Sequence, residues 1–221
     1  MKINVLAVDL WETIIFEKND QLKINRILFL KQKFGKEYDY WETKYNACKH
    51  KSISIEQAGG YFSDKERIEF LLEGITYNNV DYYEIIQKFN FLAINNNYIV
   101  NSELVEAIKK LKYQNLKIVL VSNTGFINVD TTIQILSKYN LLKLFDKLIF
   151  SGDLKIGKPD PAFFNELIKY NNGETKDILY IGNSLFFDLV GAKTSNINNI
   201  IVIHSIKENY ESINTCEKQF N

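Results

Sequence analysis

Five short apolar runs limit what this chain can fold into. Ile3–Val8, Lys117–Val121, Lys147–Phe150, Ile178–Ile181 and Asn199–Ile203 are rich in β-branched residues and shorter than ordinary helices, so they read as buried strands. Helical patterns separate the later runs: Ser102–Leu111, Asp130–Tyr139, Pro161–Tyr170 and Leu185–Thr194. Asp160 as N-cap and Pro161 at the first helical position mark where the third of these begins. Strands alternating with helices predict an α/β protein with a doubly wound, mostly parallel, Rossmann-like sheet and helices on both faces. The last run, Asn199–Ile203, suits an edge strand.

Residues 17–100 break the rhythm. Their patterns are helical throughout, over Asp20–Phe34, Tyr40–Lys51, Ser63–Leu72 and Asp81–Asn95. Ser63 and Glu66 form a capping-box pattern ahead of Ile68, Leu71 and Leu72. Residues 1–16 and 101–221 are therefore expected to form the α/β core, and 17–100 an inserted all-helical subdomain. Such an insert either packs as a plain helical domain or lies as a lid over the strand ends, where open α/β sheets hold their active sites. Asn-rich patches at Asn78–Asn79, Asn95–Asn97, Asn171–Asn172 and Asn196–Asn199 mark turns. The polar tail Ser205–Asn221 carries no assignment.

Composition excludes several function classes. Basic and acidic residues balance at 27 each, which argues against nucleic-acid or membrane-surface partners. No segment approaches a membrane span, and the apolar run after Lys2 is too short for a signal peptide, so a cytoplasmic location is expected. Cys48 and Cys216 fit no metal or redox spacing and read as idle thiols, and His50 and His204 fit no ligand spacing. Arg26 and Arg67 are the only arginines, a scarcity that reads as composition bias. Phosphate recognition would then rest on lysines and backbone N–H groups.

Four segments can carry chemistry. Asp9 ends the first strand, where a carboxylate is placed either to cap a turn or to act as a nucleophile. Ser122-Asn123-Thr124-Gly125 ends the second with small groups able to bind an oxyanion. Gly157-Lys158-Pro159-Asp160-Pro161 holds both prolines of the chain in a stiff turn that can fix Lys158 over a charged centre. Gly182-Asn183-Ser184 follows the Ile178–Ile181 strand, with Asp188 beyond it; Asn183 and Asp188 can ligate a hard cation or position a water. Taken singly, each also reads as a turn, a cap or a surface lysine.

Together and in this order the four segments resemble the haloacid dehalogenase superfamily of aspartate-nucleophile hydrolases. Asp9-Leu10-Trp11-Glu12-Thr13 stands where that family has Asp-x-Asp-Gly-Thr, Ser122 ends the strand of its second motif, and Lys158-Pro159-Asp160-Pro161 looks like its third. Gly182-Asn183-Ser184-Leu185-Phe186-Phe187-Asp188 looks like the family's Gly-Asp-x-x-x-Asn-Asp. The resemblance implies a covalent aspartyl intermediate on Asp9, with Thr13, Ser122, Lys158 and Asp188 as further catalytic residues. It also implies substrate contacts from Trp11, Glu12, Asn123 and Thr124, and makes the helical insert a cap domain that selects the substrate. Mg²⁺ would rest on Asp9, the Trp11 backbone carbonyl, Asn183 and Asp188.

Two departures qualify this picture. Trp11 replaces the second Asp that serves the family's phosphatases as general acid and base, and an indole cannot shuttle a proton; Glu12 is the candidate substitute. Asn183 replaces an acidic metal ligand, so a weakened Mg²⁺ site is expected. Three readings stay open. The first is a phosphatase of small phosphorylated or otherwise anionic metabolites. The second is a metal-independent hydrolase like the family's 2-haloacid dehalogenases, and the third a degenerate member that binds without turnover. Metal dependence separates them, because phosphoryl chemistry needs the cation and halide displacement does not.

Overall fold

The computed structural model describes residues 2–75 and 81–203. The expected turn at Asn78–Asn79, together with His204, Cys216 and the tail, lies outside these residues. Five strands, β1 (Val5–Val8), β4 (Lys117–Ser122), β5 (Lys147–Phe150), β6 (Ile178–Gly182) and β7 (Asn199–Val202), form one sheet in the order β5-β4-β1-β6-β7. Every pairing is parallel, with Val8 opposite both Leu120 and Ile181. Asp9 thus leaves the central strand at the sheet's carboxyl edge, and β7 is an edge strand, with β5 at the other side.

Side-chain alternation explains why the sheet is wound on both faces. Leu6, Val8, Ile118 and Leu120 pack on one face against Val105 and Ile108 of α5 (Ser102–Tyr113) and Ile135 and Leu136 of α6 (Val129–Lys138). Val5, Ala7, Val119 and Val121 face the other way, onto Phe163, Phe164 and Leu167 of α8 (Pro161–Tyr170), while a short turn of helix, α7 (Ser151–Leu154), follows β5. Each buried aliphatic or Phe side chain contributes about 1.5–3 kcal/mol by leaving water, so this two-sided pattern specifies the strand register strongly. Asp160 caps α8 as expected, accepting from the Ala162 N–H at 2.8 Å.

Four helices fill the interruption: α1 (Gln21–Phe34), α2 (Tyr38–Gln57), α3 (Asp64–Leu72) and α4 (Tyr82–Ile94). They share an apolar cluster of their own, centred on Ile27, Leu30, Trp41, Ile68, Leu71 and Phe89, and form an all-helical cap on the α/β core. The Ser63–Glu66 capping box is present in full. Asp20 behaves differently from a cap: it is left-handed at φ 51° and its side chain caps nothing, whereas Glu17 accepts from the Leu22 N–H at 2.6 Å. Two short strands absent from the sequence reading, β2 (Ile15–Glu17) and β3 (Tyr98–Val100), pair antiparallel where the chain enters and leaves the helices. At three residues each they fall below the length at which alternation can be read. No helix of the described residues is long and apolar enough to cross a membrane.

Candidate active site

The turn after β1 shapes the site first. The Asp9 N–H donates to the Ile181 carbonyl at 2.9 Å, which fixes the strand end. Glu12 then takes φ 56°, in the left-handed region, and the Ile14 N–H donates back to the Leu10 carbonyl at 2.8 Å. This tight return brings Thr13 onto the carboxylate four residues earlier. Its hydroxyl donates to Asp9 Oδ2 at 2.8 Å and lies 3.3 Å from Asn183 Oδ1.

Lys158 supplies the opposite side. Its Nζ lies 2.6 Å from Asp9 Oδ1 and 2.6 Å from Asp188 Oδ1, and also reaches the Val121 carbonyl and the Tyr180 hydroxyl at 3.3 Å. All three charged groups are at least nine-tenths buried. Asn123 grips the backbone of Lys158 from both ends: its Oδ1 accepts from the Lys158 N–H at 2.8 Å and its Nδ2 donates to the Lys158 carbonyl at 3.0 Å. The stiff turn is therefore held by an amide as well as by its prolines.

Burial pushes the Asp9 carboxyl up from 3.8 to about 6; the Lys158 ammonium opposes the rise and the Asp188 charge adds to it. Burial disfavours the Lys158 charge, but Asp188 and Asp9 outweigh it and raise the ammonium above its usual value. Burial, then Asp188 and Asp9, holds the Tyr180 phenol well above its ordinary range, so it remains a donor.

Asp188 is reached through a wide π-type turn, Leu185–Val190, which runs into the short α9 (Gly191–Thr194) where a continuous α-helix was expected. Its Oδ1 accepts from Lys158 and from Tyr180 at 2.8 Å; its Oδ2 accepts from the N–H groups of Asn183 at 3.1 Å and Ser184 at 2.9 Å. A carboxylate has about four acceptor sites, and all four are taken. In this arrangement Asp188 positions Lys158 and the loop. Gly182 is required beneath it, since a Cβ there would stand 2.4 Å from Asp188 Cγ.

The other expected residues divide. Ser122 is fully buried and donates to the Asn123 carbonyl at 3.2 Å. Thr124 does not join the group: its N–H donates to Ser151 Oγ at 2.8 Å and its hydroxyl lies 3.2 Å from the same atom, so those donors face α7. Of the expected metal donors, Asp9 and Asn183 converge on the Thr13 hydroxyl. Among the described residues no three His, Cys, Asp or Glu side chains are grouped to hold a metal ion.

A cavity of about 330 Å³ opens beside this cluster. Trp11, Glu12 and Asn123 line it from the core, Arg26 and Lys49 from α1 and α2, with Phe126 and Tyr98 between. A larger hollow of about 650 Å³ lies between α1 and α4 and shares no residue with the cluster. Sequence reasoning missed Tyr180, Glu56, Arg26 and Phe126. Tyr180 sits in an apolar strand where an aromatic is ordinarily core. The signal for the arginines was their scarcity: both are buried at 3% exposure, so the rarity reflects placement as well as composition.

Residues 9–202 match the family model of haloacid dehalogenase-like hydrolases. No curated protein matches the sequence. Among solved structures, YfnB from Bacillus subtilis, a HAD-hydrolase bound to magnesium, superposes with a TM-score of 0.67 at 20% identity, covering 97% of this chain and 100% of that one. The 2-haloacid dehalogenase from Pseudomonas syringae pv. Tomato gives 0.66 at 15% identity, covering 90% and 86%. CbbY from Rhodobacter sphaeroides, in complex with xylulose-(1,5)bisphosphate, gives 0.62 at 15% identity, covering 91% and 86%. These likenesses speak to the fold. The match over residues 9–202 settles the family: the chain belongs to the haloacid dehalogenase-like hydrolases.

Proposed function

We propose that the protein hydrolyses small phosphorylated metabolites through a covalent aspartyl intermediate on Asp9. The observation that carries this reading is the setting of Asp9: a buried strand-end carboxylate with one oxygen on the Lys158 ammonium and the other on the Thr13 hydroxyl, beside a cavity of metabolite size. An Asp9 oxygen attacks phosphorus, the bond to the leaving oxygen breaks, and that oxygen departs with the electron pair. Water then attacks phosphorus, the bond to Asp9 breaks, and inorganic phosphate leaves with the carboxylate restored. Lys158 offsets charge that gathers during both steps, with Asp188, Tyr180 and Asn123 holding it in place.

Asp9 and Asn183 offer oxygens on the Thr13 side, a donor set that suits a weak Mg²⁺ site completed by water and substrate phosphate. Bound there, the cation would neutralise phosphate oxygens. The Trp11 carbonyl remains the third proposed donor. This chemistry expects a small anionic partner and a cytoplasmic setting, where Cys48, buried and with its thiol pushed up to about 11 by burial, stays unreactive.

One observation favours a second reading. With Asp188 accepting from four donors and Asn183 neutral, the cluster offers a cation little negative charge beyond Asp9, which suits metal-independent displacement of halide from a 2-haloacid. A turnover screen over phosphorylated metabolites and 2-chloropropionate, with Mg²⁺ and with EDTA, decides. Mg²⁺-dependent phosphate release supports the phosphatase; chloride release that survives EDTA overturns it.

A further inference from the structure

Helix α1 buries Arg26 in the wall of the cavity beside the nucleophile. Its guanidinium is pinned without being neutralised. Nη1 donates to the Tyr45 hydroxyl at 3.1 Å and Nη2 to the Phe89 carbonyl at 3.3 Å, both uncharged acceptors. The cation lies 5.0 Å from the Phe89 ring centroid and 5.5 Å from that of Phe126. Its Nε is buried with no acceptor.

The other arginine shows what a completed site looks like. Arg67 lies on the same Phe126 ring, at 5.7 Å, and donates to Glu56 at 2.9 Å, to the Phe62 carbonyl at 2.9 Å and to the Ser52 hydroxyl. Among the described residues no carboxylate pairs with Arg26 in this way. Glu17 shares the cavity wall, but its Oε1 accepts from the N–H groups of Leu22 and Lys23. Glu12 also shares the wall, from the turn after β1. A buried cation without a counter-charge is costly, and an arriving anion removes that cost.

We propose that Arg26, aided by Lys49 at the exposed side of the same cavity, forms an anion-binding subsite, so that the substrate carries a second anionic group, a carboxylate or a phosphate, distal to the group that meets Asp9. The guanidinium fork matches the oxygens of either group. The subsite deepens the phosphatase reading and rests on it for the identity of the group at Asp9.

Calorimetric binding of non-hydrolysable phosphonates tests this on the unmodified protein. Phosphonoacetate, 3-phosphonopropionate and 4-phosphonobutyrate are each compared with the alkylphosphonate of equal chain length, and with the matching bisphosphonate. At least one doubly anionic ligand should bind about tenfold tighter or better than its alkyl counterpart, the worth of one charge-assisted contact. The spacer and the terminal group that win identify the source of the anion. In Arg26→Gln the preference should collapse to within about twofold, with KM for the corresponding phosphate ester raised and kcat little changed. Equal affinities for charged and uncharged chains in the unmodified protein overturn the proposal even if Arg26→Gln fails to fold. So does a preference that survives in a folded Arg26→Gln. A clear charge preference in a protein that turns over no phosphate ester keeps the subsite and sinks the phosphatase reading instead.

Discussion

Two buried cations, one in each half of the molecule, are built in opposite ways. Lys158, on the core side, touches two carboxylates and two uncharged oxygens. Arg26, on the helical side, touches a phenol, a carbonyl and two aromatic rings, and keeps one N–H unpaired. The core half is thus complete without ligand: it holds its charges in place and need not reorganise during reaction. On the proposed reading, the helical half is complete only when an anion arrives. If the proposed function holds, the difference teaches where chemistry and selectivity are divided, with the strand ends fixing the reaction and the helices asking for a particular substrate.

The hardest blow to the core half is Asp9→Asn. It removes the nucleophile and keeps the shape, so activity should fall by roughly 10³-fold or more, measured as kcat/KM, with an unchanged circular dichroism spectrum. Residual activity within about tenfold would break the assignment of Asp9. Because the carboxylate must be ionised to attack and titrates at about 6, the unmodified enzyme should lose kcat/KM as pH falls through that value. Linkage gives the matching sign for stability. The folded state holds the Asp9 proton more tightly than the ordinary 3.8, so this group's contribution is fully present below that pH and lost as pH rises through about 6. In Asp9→Asn the decline in urea midpoint over that window should flatten.

Stability ranks the cations directly. Lys158→Met strands Asp9 and Asp188 together and should cost about 3–5 kcal/mol in urea unfolding. Arg67→Met strands only Glu56 and should cost less. Arg26→Met strands no carboxylate and should cost least of the three, even though its side chain is as deeply buried. If Arg26→Met proves as damaging as Lys158→Met, the contrast between a compensated and an uncompensated half is wrong.

A milder change separates position from charge. Asn123→Ala removes both grips on the Lys158 backbone and the 3.3 Å link from Asn123 Nδ2 to Glu56 Oε2, while leaving the ammonium in the protein. Loss of positioning alone should lower kcat by about tenfold with KM less affected. The chain Arg67–Glu56–Asn123–Lys158 is a continuous set of contacts from α3 to the nucleophile, so Glu56→Gln should move kcat in the same direction by less. A KM effect without a kcat effect would show that Asn123 serves the substrate alone.

The same division decides what the sequence could disclose. Asp9, Lys158 and Asp188 were legible because Asp9 directly follows a strand, Lys158 directly precedes the two-proline turn and Asp188 lies in the segment after the Ile178–Gly182 strand, where local pattern marks them. The pairing of Thr124 with Ser151 was not legible, because Ser151, across the β4–β5 pairing, is contributed by a different segment. The four donors that surround Asp188 were not legible, since two of them are backbone groups with no sequence signature. Arg26, Glu56 and Phe126 were illegible for a related reason. Their meaning lies in helix faces meeting across the chain, and no spacing rule connects residues so far apart.

The smallest expected effect concerns Trp11, and it probes the seam between the two halves. Its ring lines the cavity, 5.7 Å from that of Tyr98, so it packs as well as standing where a general acid would be. A general acid contributes about 10²–10⁴-fold, and most where the leaving group is an alkoxide. Without one, the enzyme should prefer aryl and acyl phosphates, which leave without protonation. Trp11→Asp should therefore raise kcat/KM for an alkyl phosphate relative to an aryl phosphate, by about tenfold or less once the lost packing against Tyr98 is counted. The neighbouring Glu12 lines the same cavity from a left-handed turn and is the one carboxylate of that turn able to substitute. Glu12→Gln distinguishes the cases. If it depresses alkyl turnover selectively in the unmodified background, Glu12 already delivers the proton and Trp11→Asp should add little. If the unmodified enzyme cleaves both esters equally and neither substitution changes the ratio, proton delivery comes from the substrate or from water, and Trp11 is a wall of the pocket and nothing more.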